Sequence, residues 1–405
     1  MYNMNMETIL RAYKYRLYPN KQQEVLLLKH FGCARWIYNY ALDKKIKAYK
    51  QDKKNLSRYE IQKDLPLLKK NPDTVWLKEV NSQSLQATLE HLDNAYRKFF
   101  KEKTGFPRFK SKHDNRQSFH IPQNTVVDWK TSKVSIPKID DIKMVVDRKA
   151  VGEIRSSTIS RTPAGKYFIS ILVDSGVKEP KKPKVKLQTS VGVDLGVKDF
   201  AVLSNGEKIE NPKHLKKHLR RLKMLQKRVS KKVKGSNNRK KANSKVALQH
   251  EKITNSRKDF LHKLSTKLIR ENQTVCLEDL NTKGMMKNHC LAQSIGDAGW
   301  GMFGSMLQYK ARWYGRNILT IGRFDPSSKM CSKCGRINAA LTLKDRSWTC
   351  VCGAVHDRDC NAAINIRDFA LKEYIGVECP DYKPAESLAL ASSVKQETQP
   401  SLVVG

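Results

Sequence analysis

No apolar run in the chain is long enough to span a bilayer. The opening residues, MYNMNMETILRAYKYRLYPNK, lack an apolar h-region and a small-residue cleavage site. Neither export nor membrane anchoring is therefore expected. Cysteine is sparse and unevenly placed: of nine, Cys33, Cys276, Cys290 and Cys379 stand singly and carry no assigned role, while the rest gather late in the chain. That pattern argues against a disulfide framework and suits a reducing, cytoplasmic compartment. Negative charge is scarce as well, with Asp+Glu 39 against Lys+Arg 78 and a formal net charge of +39. Such a field attracts polyanions, because Lys and Arg that neutralise phosphates release counterions, so nucleic acid is the expected partner. An anionic membrane surface is the competing reading. The basic residues run along the whole length, which does not favour it.

At 405 residues the chain can bury a large core in two to four domains. RAYKYRLY (11–18) alternates like a strand, and Pro19-Asn20 then opens a helical pattern reaching about residue 101. Leu85, Leu89 and Leu92 recur there at helical spacing. GFPRFKSKHDNRQSF (105–119) interleaves rings with positive charge, as a solvated loop or a nucleic-acid contact would. Alternating runs from Thr125 to Val173 read as antiparallel strands that take in the N-terminal one, and VKEPKKPKVK (177–186) reads as a linker. After it, SVGVDLGVKDFAVLSNGEKIE gives two strands around a turn and a third past Asn205-Gly206. Basic helices striped with Leu215, Leu219, Leu222 and Leu225 break at KGSNN (234–238). TVCLEDL and NILTIGRF read as strands, WGMFGSMLQYKARWYG as an amphipathic helix, and HDRDCNAAINI as the opening of another. That order suits a mixed α/β sheet with helices on its faces.

Two kinds of chemistry stand out. Asp194 in VGVDLGV and Glu278 in TVCLEDL each end an apolar run, and Asp357 and Asp359 open the last helix. Widely separated carboxylates brought together by a fold are natural hard ligands for Mg²⁺ ions that assist phosphodiester hydrolysis. Taken one at a time, Asp359 reads equally well as a helix N-cap and Glu278 as a polar strand end. Asp194 resists dismissal, because a charge inside an apolar strand is penalised unless a cation or hydrogen bonds compensate. The other chemistry belongs to Cys331, Cys334, Cys350 and Cys352, two close pairs suited to one structural zinc ion. The second pair is C-x-C, one residue shorter than usual, so His356 or Cys360 are substitutes for Cys352.

Several longer stretches carry a family resemblance: YKYRLYPN…CARWIYNYAL, GFPRFK, GVDLGVKDFAVLSNG, LEDLNTKGMMKN, LAQSIGDAGWGMF, DPSSKMCSKCG and HDRDCNAAINI. The chain resembles TnpB, the RNA-guided nucleases of bacterial insertion sequences that are related to type V CRISPR effectors. The resemblance implies a multidomain α/β protein with an RNase H-like RuvC nuclease core and a zinc-ribbon insert. An N-terminal β-barrel wedge domain would carry a helical recognition domain. Boundaries follow: wedge 1–20 and 120–180, recognition 21–119, nuclease 181–328 and 355–376, zinc ribbon 329–354, and a disordered tail 377–405. The implied catalytic residues are Asp194, Glu278 and Asp359, with Asp357 the second choice for the last. The implied cofactors are two catalytic Mg²⁺ and one structural Zn²⁺.

The implied partners are a guide RNA from the element itself and a double-stranded DNA target, cut beside a short transposon-associated motif. Base pairing then reads most of the sequence. Arg58, Gln62, Ser82, Gln83, Gln86, Gln123 and Asn124 match the motif-reading region, and Gln and Asn pair readily with adenine. Rival readings are a nuclease-inactive RNA-guided regulator and a transposase or accessory protein of transposition. The expected location is the bacterial cytoplasm, at the nucleoid when acting.

Overall fold

The computed structural model describes residues 8–114, 117–323, 325–342 and 345–375. The expected disordered tail, 377–405, and Cys379 lie outside them. The chain forms two compact units: Met1–Lys178 with Leu225–Leu248, and Glu179–Met224 with Gln249–Gly405.

In the first unit, β1 (Thr8–Tyr18) leads into α1 (Lys21–Asp52), where Asn20 and Gln23 form a capping box. Then come α2 (Arg58–Gln62), α3 (Asp64–Lys70) and α4 (Ser82–Glu102). Strands β2 (Gln117–Ile121), β3 (Val126–Asp128), β4 (Lys133–Ile136), β5 (Ile139–Val145), β6 (Glu153–Arg161) and β7 (Tyr167–Lys178) complete one antiparallel sheet. Its order is β2-β6-β7-β1-β5-β4-β3, so the strand expected from alternation in RAYKYRLY joins this sheet, and it lies in the middle. Among the described residues the edges, β2 and β3, do not pair with each other. The sheet is a half-barrel, where a β-barrel was expected.

Helix α1 has two jobs along its length. Leu27, Phe31 and Ala34 join the sheet's apolar core, whereas Cys33, Ile37, Ala41 and Leu42 join a second core with Leu85, Leu89 and Leu92 of α4. The solitary Cys33 is thus a core thiol, and burial pushes it up to about 11.

The second unit holds β8 (Ser190–Leu195), β9 (Asp199–Leu203), β10 (Lys208–Glu210), β11 (Thr274–Glu278) and β12 (Asn317–Ile321) in the order β10-β9-β8-β11-β12. β8, β9 and β10 are antiparallel, whereas β11 runs parallel to both β8 and β12. Buried on both faces, β8 and β11 read as continuous apolar runs. Between β10 and β11 lie α5 (His214–Ser230) and α6 (Asn237–Glu271). α7 (Thr282–Met285), α8 (His289–Ala298) and α9 (Trp300–Tyr314) follow β11. The chain then forms a hairpin of β13 (Ser347–Thr349) and β14 (Val355–Asp357) before α10 (Arg358–Ile375). None of the described helices is long and apolar enough to cross a membrane.

One glycine fixes how α10 docks. A Cβ on Gly192 of β8 would fall on the Ala363 carbonyl oxygen and within 2.9 Å of the Arg367 backbone nitrogen. The helix therefore lies directly on the strand backbone, two residues before Asp194.

Candidate functional site

Each acid singled out from sequence ends or starts an element of the second unit. Asp194 is the fifth residue of β8, Glu278 the last of β11, and Asp359 lies in the first turn of α10. Because β8 and β11 are parallel neighbours, their carboxyl ends present Asp194 and Glu278 at one edge of the sheet. The docking of α10 on β8 brings Asp359 to the same edge. Asp194 and Asp359 line one cleft of about 150 Å³, together with Gly196, Val197, Lys198 and Arg346. Burial first, then the negative charges of Glu278 and Asp359, push the Asp194 carboxyl up to about 7, against an opposing pull from Arg358. The charges of Glu278 and Asp359 are thus both felt at the Asp194 carboxyl, with Arg358 opposing them.

Asp357 and Asp359 separate cleanly. Asp357 accepts the Cys360 backbone N–H at 3.0 Å and the Lys208 ammonium at 2.6 Å. Burial acts to raise its pKa, but these partners outweigh it and hold the carboxyl below its usual range. It is the residue that caps α10. Asp359, free of that duty, pairs with Arg346 at 3.5 Å inside the cleft. Arg346 did not stand out in the sequence, since one Arg among 78 basic residues carries no signal.

Glu278 is held by a residue that sequence reading also passed over: the Ser327 hydroxyl donates to Glu278 Oε1 at 2.7 Å. Two asparagines on α10 were likewise unremarked. Asn361 and Asn365, 2% and 1% exposed, reach the Ser327–Ser332 segment. Two Asn spaced i, i+4 within NAAINI were the available clue, since buried amides demand partners.

The four predicted thiols converge. The sulfurs of Cys331, Cys334, Cys350 and Cys352 all lie within 4.8 Å of one another, with Cys331–Cys352 at 3.8 Å and Cys334–Cys350 at 3.6 Å. A tetrahedral zinc site with Zn–S near 2.3 Å requires S···S distances of about 3.8 Å, so this donor set fits one zinc ion. The short C-x-C spacing does not prevent Cys352 from reaching the others. Cys360 stays outside the group. His356 does not replace a thiol either: its Nε2 lies 3.0 Å from the Cys331 sulfur, and its ring packs on Trp348 at 4.8 Å.

The polar candidates occupy the first unit. Arg58 and Gln62 lie on α2, with Arg58 paired to Glu90 of α4 at 3.2 Å. Ser82, Gln83 and Gln86 lie in the first turns of α4, while Gln123 and Asn124 lie between β2 and β3. Asn124 has φ of 64°. Gln83 Nε2 donates to Gln123 Oε1 at 3.4 Å, and Ser82 accepts from Lys69. Two atoms here, Asn81 Nδ2 and Gln83 Oε1, are buried without a hydrogen-bond partner among the described residues. The start of α4 is fixed by a further unforeseen residue: the buried His30 donates from Nδ1 to Leu26 O (2.8 Å) and accepts the Asn81 N–H at Nε2 (3.2 Å).

Three family profiles match the chain, described as a probable transposase (residues 170–289), a Cas12f1-like TNB domain (300–366) and a helix-turn-helix domain (4–54). A candidate RNA-guided DNA endonuclease of Streptomyces pristinaespiralis is 41% identical over 397 residues, covering 97% of this chain and 98% of its own. The chain belongs to the TnpB family. Another candidate RNA-guided DNA endonuclease, InsQ of Escherichia coli K12, is 32% identical, covering 88% of this chain and 91% of its own. A cryo-EM structure of a Cas12f1–sgRNA–target DNA complex has a TM-score of 0.47 and 16% identity, covering 89% of this chain and 99% of that one. The TnpB profile described as helix-turn-helix falls where the described chain has β1 and the single long helix α1.

Proposed function

We propose that the chain is an RNA-guided DNA endonuclease of a bacterial insertion sequence, hydrolysing target phosphodiesters beside a short transposon-associated motif. The observation that carries this reading is the meeting of Asp194, Glu278 and Asp359 at one sheet edge in a member of the TnpB family. The order β10-β9-β8-β11-β12, with β8, β11 and β12 parallel, supports an RNase H-type, RuvC-like core. The expected domain boundaries, with a wedge built on the half-barrel, are kept as part of the same proposal.

The three carboxylates would hold two Mg²⁺ ions, which when bound supply an activated water and neutralise charge on the leaving oxygen. The protein's own part is orientation. β8 and β11 fix two carboxylates on a rigid sheet, Asp357 caps α10, and Asp359 is thereby left to face the cleft. The cysteine cluster would hold one structural zinc ion, since four thiolates leave no open position for substrate.

Guide RNA from the element and duplex DNA are the proposed partners, acting at the nucleoid. The long basic helices suit their phosphates: α5 contains no acidic residue. Ser82, Gln83, Gln86, Gln123 and Asn124, with Arg58 and Gln62 alongside, are proposed to read the motif. The orphaned Gln83 Oε1 and Asn81 Nδ2 are groups that a base edge would satisfy.

Sequencing of RNA that co-purifies with the protein, followed by cleavage of a matched target, tests the reading. Asp194→Ala should abolish cutting and leave RNA-guided binding intact. Undiminished cutting by that variant, or the absence of bound RNA, would overturn it.

A further inference from the structure

We infer that Ser327 is a positioning residue for Glu278, held in place by Asn365 from α10. The inference rests on the nuclease reading of the three carboxylates and adds a part to it. β11 fixes only the backbone of Glu278, and the residue opposite it on β12, Ile321, offers its side chain no polar partner. A glutamate so placed keeps most of its rotamer freedom. The Ser327 hydroxyl removes it by donating to Oε1 at 2.7 Å.

Ser327 can do this only if its own position is set. It is 6% exposed and sits in a tight turn, with its N–H on Asp325 O at 2.8 Å and the Met330 N–H on Pro326 O at 3.0 Å. The turn is pinned from α10. Asn365 Nδ2 donates to Ser327 O and Met330 O, each at 2.7 Å. One helical turn earlier, Asn361 donates to Met330 O at 2.7 Å and accepts the Ser332 N–H at 3.0 Å. A carboxamide with two donors is what two converging carbonyls need; a carboxylate would repel both and an aliphatic chain would leave both unpaired.

α10 also carries Asp359, two residues before Asn361. The path Asn365–Ser327–Glu278 therefore ties a carboxylate on the sheet to the helix that bears the opposing one. The separation of the two acids is set by buried hydrogen bonds rather than by the sheet alone. Groups that orient metal-binding side chains in this way are worth about 10- to 100-fold in metal affinity or activity.

The experiment compares wild type, Ser327→Ala and Ser327→Thr as full-length RNA complexes. It measures cleavage across a Mg²⁺ titration and, separately, Mn²⁺ binding followed by the loss of free-ion paramagnetic resonance. Ser327→Ala should raise the half-saturating Mg²⁺ concentration about tenfold and weaken Mn²⁺ binding comparably. Cleavage at saturating Mg²⁺ and target DNA binding should stay near wild type, and Ser327→Thr, which keeps the hydroxyl, should restore the lower Mg²⁺ requirement. Asn365→Asp should move the requirement in the same direction as Ser327→Ala. An unchanged Mg²⁺ and Mn²⁺ dependence in Ser327→Ala would overturn the inference, as would a loss equal at every Mg²⁺ concentration. Glu278→Gln separates the two levels. If it still cleaves, the place of Glu278 among the three working carboxylates falls; if it is dead while Ser327→Ala behaves as wild type, only the positioning role falls.

Discussion

Replacing Asp194 with Asn should make the metal-free protein more stable and the enzyme inert. The reason lies in the crowding of like charge. Burial and the fields of Glu278 and Asp359 push Asp194 from an ordinary 3.8 up to about 7. Between those values the folded chain keeps a proton that the unfolded chain has released. Stability tied to this carboxyl is therefore greatest below about pH 4, declines as pH rises, and is fully lost above about pH 7. At 1.36 kcal/mol per pH unit the whole effect is at most about 4 kcal/mol. Asn, which bears no charge at any pH, escapes it. Half of the effect, about 2 kcal/mol, is about 4–8 °C in melting temperature for a unit of this size. The assay is thermal unfolding in EDTA at pH 5 and pH 8, with and without added Mg²⁺. Asp194→Asn should melt higher than wild type at pH 8, and much less so at pH 5. Mg²⁺ should raise the wild type selectively, because a cation relieves what the mutation removes. Equal melting of the two proteins at pH 8 in EDTA would refute the electrostatic argument.

The two acids at the start of α10 should behave oppositely. Asp357→Ala removes a cap and an exposed ion pair, costing about 1 kcal/mol of stability while cleavage persists, whereas Asp359→Ala should abolish cleavage with little change in melting. Metal analysis of the purified chain should find one zinc; Cys352→Ser should make it far easier to strip with a chelator, and Cys360→Ser should not. Gly192→Ala should cost about 3 kcal/mol or more, read by chemical denaturation, because its methyl would collide with the α10 backbone.

Much of this site was legible because its signals are local. A carboxylate inside VGVDLGV conflicts with its neighbours, and two cysteine pairs announce a ligand set without reference to anything else. The Asn205-Gly206 turn similarly dictated that β9 and β10 pair. What could not be read depends on direction or distance. Asp357 and Asp359 differ by two positions and share every propensity; only the helix's orientation decides which caps and which faces the cleft. Sheet closure is equally silent, since β2 and β3 alternate no differently at an open edge than in a barrel. Asn361 and Asn365 look like ordinary helical residues, and their partners lie 29 to 38 positions away.

That same network explains why the cysteine cluster and the carboxylates occur side by side in sequence. Met330 O, which both asparagines grip, immediately precedes Cys331, and the Ser332 N–H held by Asn361 immediately follows it. Cys331 is thus fixed through its backbone by α10 and, with zinc bound, through its sulfur by the other thiolates. A structural ion whose ligands fold around it contributes its binding energy to the local fold. Here that fold includes the Ser327 turn, and hence the hydroxyl on Glu278. Stripping zinc should therefore raise the Mg²⁺ needed for cleavage before it unfolds the second unit, an order that a purely peripheral zinc ribbon would not produce.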